Sequence, residues 1–256
     1  MTTIIKRPVD PARKRYYLVR EDFVNRNPGD MQILNEDEFI ENGRRGGTHE
    51  VRVSAGKDVE GYDLYYGGWY GLPKLYAKPR IKVALRNKPN DVYWTRGYIF
   101  FSSRAKALLE SIDADAFEFA ECETTTRRGR EIEPYWLGAV KRVVHSFDEE
   151  HSVYREVGGR DPKPVPAGRA ACIQALYEIR MLPDLPENFH AFYLLKYRTK
   201  FIWDQAIVDE WRAKKFNALI FSPLQPPSAK ELRSAATYDN WEFFYEKDRH
   251  IWEDLL

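Results

Sequence analysis

Hydrophobic and polar positions alternate most tellingly between Gly97 and Glu123 (GYIFFSSRAKALLESIDADAFEFAECE), where they predict a strand, a capped helix and a second strand. Tyr98–Phe101 is an aromatic strand. Ser102 and Ser103 follow it as N-caps, because a hydroxyl accepts from an orphan backbone N–H of the first turn. Ala105, Leu108, Leu109 and Ile112 recur at i, i+3, i+4 and i+7, one apolar stripe on a helix that Asp113–Asp115 ends. Ala116–Cys122 is the second strand, with Phe117 and Phe119 on one face. The same order returns at Phe201–Phe221 (FIWDQAIVDEWRAKKFNALIF). Here Asp204 caps a helix whose stripe is Ile207, Val208 and Trp211, and Phe216–Phe221 reads as a buried strand. The echo fits either a duplicated unit or independent α/β packing, since two copies are too few to establish a repeat.

Elsewhere, Tyr16–Val19, Val51 and Val53, Tyr62–Tyr66, Ile81–Leu85, Ile132–Val144 and Ala191–Tyr197 read as strands, and Glu36–Glu41 as a helical turn. Thr124–Arg130 (TTTRRGR) reads as a polar hairpin tip. Ala170–Leu182 fits a helix and a strand equally. Ser228–Glu231 is a capping box, and the apolar residues beyond Asp239 suit a helix stripe or an edge strand. Runs of strands between isolated helices predict an α+β fold with a mixed, largely antiparallel sheet and a few packed helices. Gly158–Gly168 holds three prolines and three glycines in eleven residues. It divides an expected single domain, 1–256, into subregions 16–157 and 169–256.

Composition narrows the class. The chain of 256 residues is 43% hydrophobic and 31% charged, ordinary globular values that permit a large core without staples. Sixteen Tyr, fourteen Phe and seven Trp suggest a strand-rich core with wet aromatic edges. A net charge of +1 argues against a dedicated nucleic-acid binder. The two cysteines, Cys122 and Cys172, form no disulfide framework, so a reducing compartment is expected. The N-terminus lacks the apolar run of a signal peptide, and no stretch has the length of a membrane helix. Cytoplasmic location is the expectation.

The chemistry of the known catalytic motifs is missing. There is no phosphate-cradling glycine loop, no dinucleotide fingerprint, no nucleophile elbow and no H-E-x-x-H. His145–His151 (HSFDEEH) is the closest approach to a metal cluster, with His145 and Glu149 at i, i+4; a charged loop explains it more simply, because a metal needs three or four ligands. Cys122 is a candidate nucleophile only if a base lies beside it, and otherwise a small buried hydrophobe. Asp204 is better read as an N-cap, and Asp209 and Glu210 as a solvated helix face. No cofactor and no metal are expected.

Two kinds of surface point to a partner. Trp69 and Tyr70, in the turn Gly67–Gly71, offer aromatic faces that also suit the edge of a core. Acidic clusters mixed with aromatics occur at Glu36–Glu41, at Asp148, Glu149 and Glu150, and at the C-terminus, where Glu242 and Glu246 lie among Trp241, Phe244 and Tyr245. Such a mixture supplies charge for steering and anchors for a buried centre, although each cluster taken singly also reads as a solvated face. Arg44-Arg45 and Arg127-Arg128 are basic pairs in glycine-containing loops.

The order YYLV at Tyr16–Val19, GYIFFSSRAKALLE followed by FEFAECE, and FHAFYLLKYRTKFIWDQAIVDEWRAKKFNALIFSPL at Phe189–Leu224 resembles family 11 of the immunity proteins of bacterial polymorphic toxin systems, formerly a domain of unknown function. These blocks span most of residues 16–224 and are scaffold patterns. Glu36–Tyr66 and the chain after Pro226 match nothing in the family. The resemblance implies an intracellular, non-enzymatic protein of interbacterial competition that binds and neutralises a cognate toxin; the lack of a signal sequence adds the expectation of a toxin acting in the cytosol, such as a nuclease or another nucleic-acid- or nucleotide-modifying effector. The lack of a long apolar run and the near-zero net charge lead us to expect no membrane and no direct nucleic-acid partner. Competing readings are an enzyme of unrecognised class using Cys122 or His145–His151, and a nucleic-acid or carbohydrate module using Trp69, Tyr70 and the arginine loops.

Overall fold

The computed structural model of the chain describes residues 14–22, 31–40, 53–56, 71–84, 89–156, 173–195 and 197–224. Among them are fifteen strands and three helices. The strands are β1 (Tyr16–Glu21), β2 (Met31–Ile33), β3 (Val53–Gly56), β4 (Arg80–Val83), β5 (Val92–Thr95), β6 (Tyr98–Ser102), β7 (Phe117–Glu121), β8 (Glu123–Thr126), β9 (Tyr135–Val140), β10 (Val143–His145), β11 (Val153–Glu156), β12 (Ile173–Glu178), β13 (Ala191–Leu194), β14 (Tyr197–Asp204) and β15 (Leu219–Pro223). The helices are α1 (Glu36–Phe39), α2 (Ser103–Asp113) and α3 (Gln205–Ala213).

Four sheets result, ordered β15-β1-β14-β13-β10-β3, β5-β6-β9-β7, β2-β4-β8 and β11-β12. Strand β10 is parallel to β13 and β3, and β4 to β8; the other pairs are antiparallel. This is the expected α+β class with a mixed, largely antiparallel pattern.

The two largest sheets face each other across the main core, and both are covered on their outer faces as well. Strand alternation sorts the side chains. Tyr17, Val19, Tyr193, Phe201 and Trp203 of one sheet meet Val92, Ile99, Phe101, Phe117 and Val140 of the other, with Leu108 and Leu109 of α2 and Ile207, Val208 and Trp211 of α3 closing the layer. Trp94 stacks on Phe201 (centroids 5.6 Å apart, planes 16° apart) and Phe117 meets Trp203 edge-on at 6.2 Å. Tyr16, Leu18, Phe192, Leu194 and Ile202 point the other way, under Leu176, Ile179 and Phe147. Tyr93, Tyr98, Phe100, Tyr135 and Leu137 likewise turn toward Met31, Ile81, Val83 and Phe39. Burial on both faces explains why YYLV, YIFF and AFYL are unbroken apolar runs rather than alternating ones.

Both strand–helix–strand units have the expected caps. Ser102 Oγ accepts from Ala105 N–H (3.2 Å), and Asp204 Oδ1 from Ala206 N–H (3.0 Å). They also share one topology. Hairpin β5–β6, helix α2 and strand β7 leave a gap between β6 and β7 that β9 fills, antiparallel to both. Hairpin β13–β14, helix α3 and strand β15 leave the same gap, filled by β1.

Several elements differ from the sequence reading. Thr124–Thr126 lie within β8, and the turn proper is Arg127–Gly129. Ile132–Val144 is two strands, because the chain leaves the β9 ladder at Lys141 and Arg142. Phe216–Ala218 is a turn with Lys215 and Ala218 at positive φ (54° and 71°), and β15 after it is a half-buried edge strand rather than a buried one. Phe201–Trp203 belongs to an eight-residue strand, and the ambiguous Ala170–Leu182 contains β12. The segments Tyr62–Tyr66, Gly158–Gly168 and Ser228–Glu231 lie outside the described residues.

Candidate functional site

The enzymatic candidates are built into the scaffold. Cys122 follows β7 and is 1% exposed, packed among Phe100, Tyr135 and Leu137. Its thiol donates weakly to Ala120 O (3.8 Å), and burial pushes its pKa up to about 12, away from the thiolate that nucleophilic chemistry needs. The i, i+4 relation of His145 and Glu149 has no helix to act on: His145 ends β10, and Glu149 and Glu150 lie in the turn beyond. No cluster of three or more metal-ligating side chains occurs among the described residues.

Three buried carboxylates carry the internal electrostatics. Asp204 caps α3 and also meets His190 Nδ1 and Lys14 Nζ, each at 2.7 Å. Lys14 donates further to Glu187 O (2.8 Å) and Phe189 O (3.3 Å), which fastens the start of β1 to the other half of the chain. Asp113, at the end of α2, pairs with Arg142 through both guanidinium NH groups. It also accepts from the backbone N–H of His190 (2.8 Å) and Ala191 (3.3 Å) at the entry to β13. Arg142 lies 3.8 Å over the Phe189 ring. Asp91, at the entry to β5, binds Arg104 at 2.5 and 2.7 Å and exchanges hydrogen bonds with Asn217 in the loop after α3: Asp91 N–H to Asn217 Oδ1 (2.7 Å) and Asn217 N–H to Asp91 Oδ2 (3.0 Å). The hydrogen bond to Asp91 is the chief reason Arg104 is held above its ordinary pKa. These groups hold the fold together; each is satisfied by the chain itself.

The outward features are more scattered. Asp148 is turned inward, accepting from His151 N–H (3.1 Å) and facing His151 Nδ1 (2.8 Å), while Glu149 and Glu150 stand exposed on the same turn. Trp69, Tyr70, Glu242 and Glu246 lie outside the described residues, as do Arg44 and Arg45. The acidic turn α1 is largely neutralised: Glu36 pairs with Arg96 (2.6 Å) and Glu38 with Arg80 (2.7 Å). Beside it are two exposed large hydrophobic side chains that the sequence pattern did not single out, Leu34 (45% exposed) and Tyr76 (55%). Their backbone N–H groups tie to Arg80 O (2.8 Å) and Phe39 O (3.1 Å). Arg127, Arg128 and Arg130 are exposed around the turn after β8. No described helix is long and apolar enough to cross a membrane.

A family model described as an immunity protein family (Imm11) matches residues 15–225, which takes in the scaffold described above from β1 to β15 and spans Glu36–Tyr66, the segment in which the sequence reading found no likeness to the family. No curated protein matches the chain. Because the match covers well over half of the 256 residues, the chain belongs to the Imm11 family of immunity proteins.

Proposed function

We propose that this protein protects its bacterial host by binding a cognate toxin of a polymorphic system in the cytosol and neutralising it without catalysis. Membership of the immunity family carries the reading. The architecture supports it: the Cys122 thiol, the cysteine candidate for a nucleophile, is sealed in a core, and the buried carboxylates are engaged in holding loops and caps. The exposed Glu149 and Glu150, together with Trp69, Tyr70, Glu242 and Glu246, are the expected contacts for a cationic cleft, such as that of a nuclease or a nucleotide-modifying enzyme. A standard-sized interface of ~1,600 Å² would accommodate a few such anchors.

The test is co-expression with the toxin encoded beside it. A stable one-to-one complex and restored growth are expected. Growth restored by substoichiometric protein, with the toxin or its product covalently altered, would instead indicate an enzyme. Absence of both complex and rescue would overturn the assignment.

A further inference from the structure

The turn after β8 and its exit carry two arginines, Arg128 and Arg130, that no carboxylate among the described residues neutralises. Arg128 and Arg130 are exposed and make no side-chain hydrogen bond or ion pair among the described residues, whereas Arg80, Arg96, Arg104 and Arg142 each hold a carboxylate. Arg127 stands exposed beside them. Lys82 of β4, in register with Thr125 of β8, joins Arg128 and Arg130 as a third cation without an acidic partner among the described residues. The backbone beneath is closely tied. Thr126 N–H donates to Arg130 O (2.8 Å), Gly129 N–H to Thr126 O (2.9 Å) and Arg130 N–H to Thr126 Oγ1 (3.1 Å), with Gly129 at φ +80° and Thr126 itself buried. Cations presented on a fixed turn lose little backbone freedom on binding.

We infer that this turn is a docking element for acidic side chains on the toxin's surface, which rests on the immunity reading above. A guanidinium is a planar fork that matches a carboxylate in a two-pronged pair. A protein surface fits better than a nucleic acid for two reasons. The charge is confined to one turn flanked by Glu123 and Glu131, rather than spread as a stripe. And Thr125–Glu131 contains no aromatic ring on which a base could stack. Charges at an interface rim act mainly on the rate of encounter and on orientation, so the expected signature is kinetic.

The experiment measures association of the intact protein with its co-expressed toxin at about 0.05 M and about 0.5 M salt, since screening strengthens over that range. The pair Arg128→Glu/Arg130→Glu should lower kon about tenfold at the lower salt, with the gap closing at the higher. Arg128→Gln/Arg130→Gln, which keeps the turn's hydrogen bonds, should lower it about threefold. Lys141→Glu/Lys215→Glu makes the same change of net charge at two exposed sites elsewhere and should leave kon within about twofold. Equal losses in the two charge-reversed pairs, or no loss in either, overturn the docking element while leaving the immunity reading intact. Failure of the unmodified protein to bind the toxin overturns both. Salt-sensitive binding of a single-stranded oligonucleotide that Arg128→Glu/Arg130→Glu abolishes would assign the turn to nucleic acid and overturn the proposal.

Discussion

Gly138 sits in β9 opposite Ile99 of β6 and Phe119 of β7. An added Cβ would lie 2.7 and 2.8 Å from Phe101 Cδ2 and Cε2, and 2.8 Å from Phe119 Cε1. Carbon atoms in good contact stand about 3.5–4.0 Å apart, so the ring edges would have to withdraw by roughly an ångström. Phe101 is 2% exposed and meets Phe119 edge-on at 5.7 Å, so it has no open space to enter. Overpacking of this kind destabilises by about 1–3 kcal/mol. Gly→Ala also restricts the unfolded chain, an offset of about 0.4–1 kcal/mol. Gly138→Ala should therefore be less stable by about 1–2 kcal/mol, a fall in Tm of about 2–8 °C for a chain of this size. The assay is urea unfolding followed by intrinsic fluorescence, with a lowered midpoint and unchanged slope. Phe119→Leu trims the partly buried partner and should recover part of the loss, visible as a coupling of at least about 0.5 kcal/mol in a double-mutant cycle. Gly129→Ala is the control. Nothing lies within 4 Å of a Cβ there, but φ is +80°, so its loss of about 1 kcal/mol is conformational and insensitive to Phe119. An unchanged or raised midpoint for Gly138→Ala would refute the steric argument.

Asp113→Asn should destabilise by about 3–5 kcal/mol, because it strands the buried Arg142 charge; Arg142→Met in the same chain should restore part of it in urea titrations. Asn217→Ala removes the acceptor for Asp91 N–H and should lower stability by about 1–2 kcal/mol, read the same way. For Cys122 the folded pKa is raised, so the protonated thiol favours the fold below its ordinary value of 9.0, and that contribution fades as pH climbs from there to about 12. Cys122→Ala should flatten the stability curve across that window, and iodoacetamide should label Cys122 in the native protein only when the chain opens. Thermal unfolding should show one transition for both halves of the chain, with coincident fluorescence and circular dichroism.

What could be read from the sequence was what is local. The caps Ser102 and Asp204, the stripes Ala105–Leu109 and Ile207–Trp211, and the burial of Cys122 all follow from spacing within a dozen residues, and all are present. The structure differs where a distant strand decides. Thr124 and Thr126 look like turn residues until β8 is seen lying in register with β4, more than forty positions earlier, which buries both. Phe216–Ala218 looks like the start of a strand until the loop is seen reaching across to Asp91, 126 positions away from Asn217. Leu34 and Tyr76 gave no signal, because an exposed apolar side chain is recognisable only once its neighbours are placed. Among the acidic contacts, the sequence could not distinguish Asp148, whose carboxylate is turned onto His151, from the exposed Glu149 and Glu150 beside it.

The two strand–helix–strand units correspond more deeply than their apolar patterns suggest. In each, a residue at or beyond the end of the helix reaches the entry of the other unit's hairpin. Asp113, the last residue of α2, receives the N–H groups of His190 and Ala191 where β13 begins. Asn217, after α3, exchanges hydrogen bonds with Asp91 where β5 begins. Each crossing is braced by an arginine that also covers an aromatic ring, Arg142 over Phe189 and Arg104 over Phe216. The filling strand comes after the unit in one half (β9) and before it in the other (β1). That order has a consequence for domain organisation. Strands β1 and β10, from the first subregion, sit in one sheet with β13, β14 and β15 from the second. Removing 169–256 would take the His190 and Ala191 N–H groups from Asp113 and Asn217 from Asp91, and removing 16–157 would take β1 and β10 from the sheet of β13, β14 and β15. The arrangement therefore supports one cooperative domain in which the arginine-bearing turn after β8 and the acidic turn after β10 are held on a common scaffold.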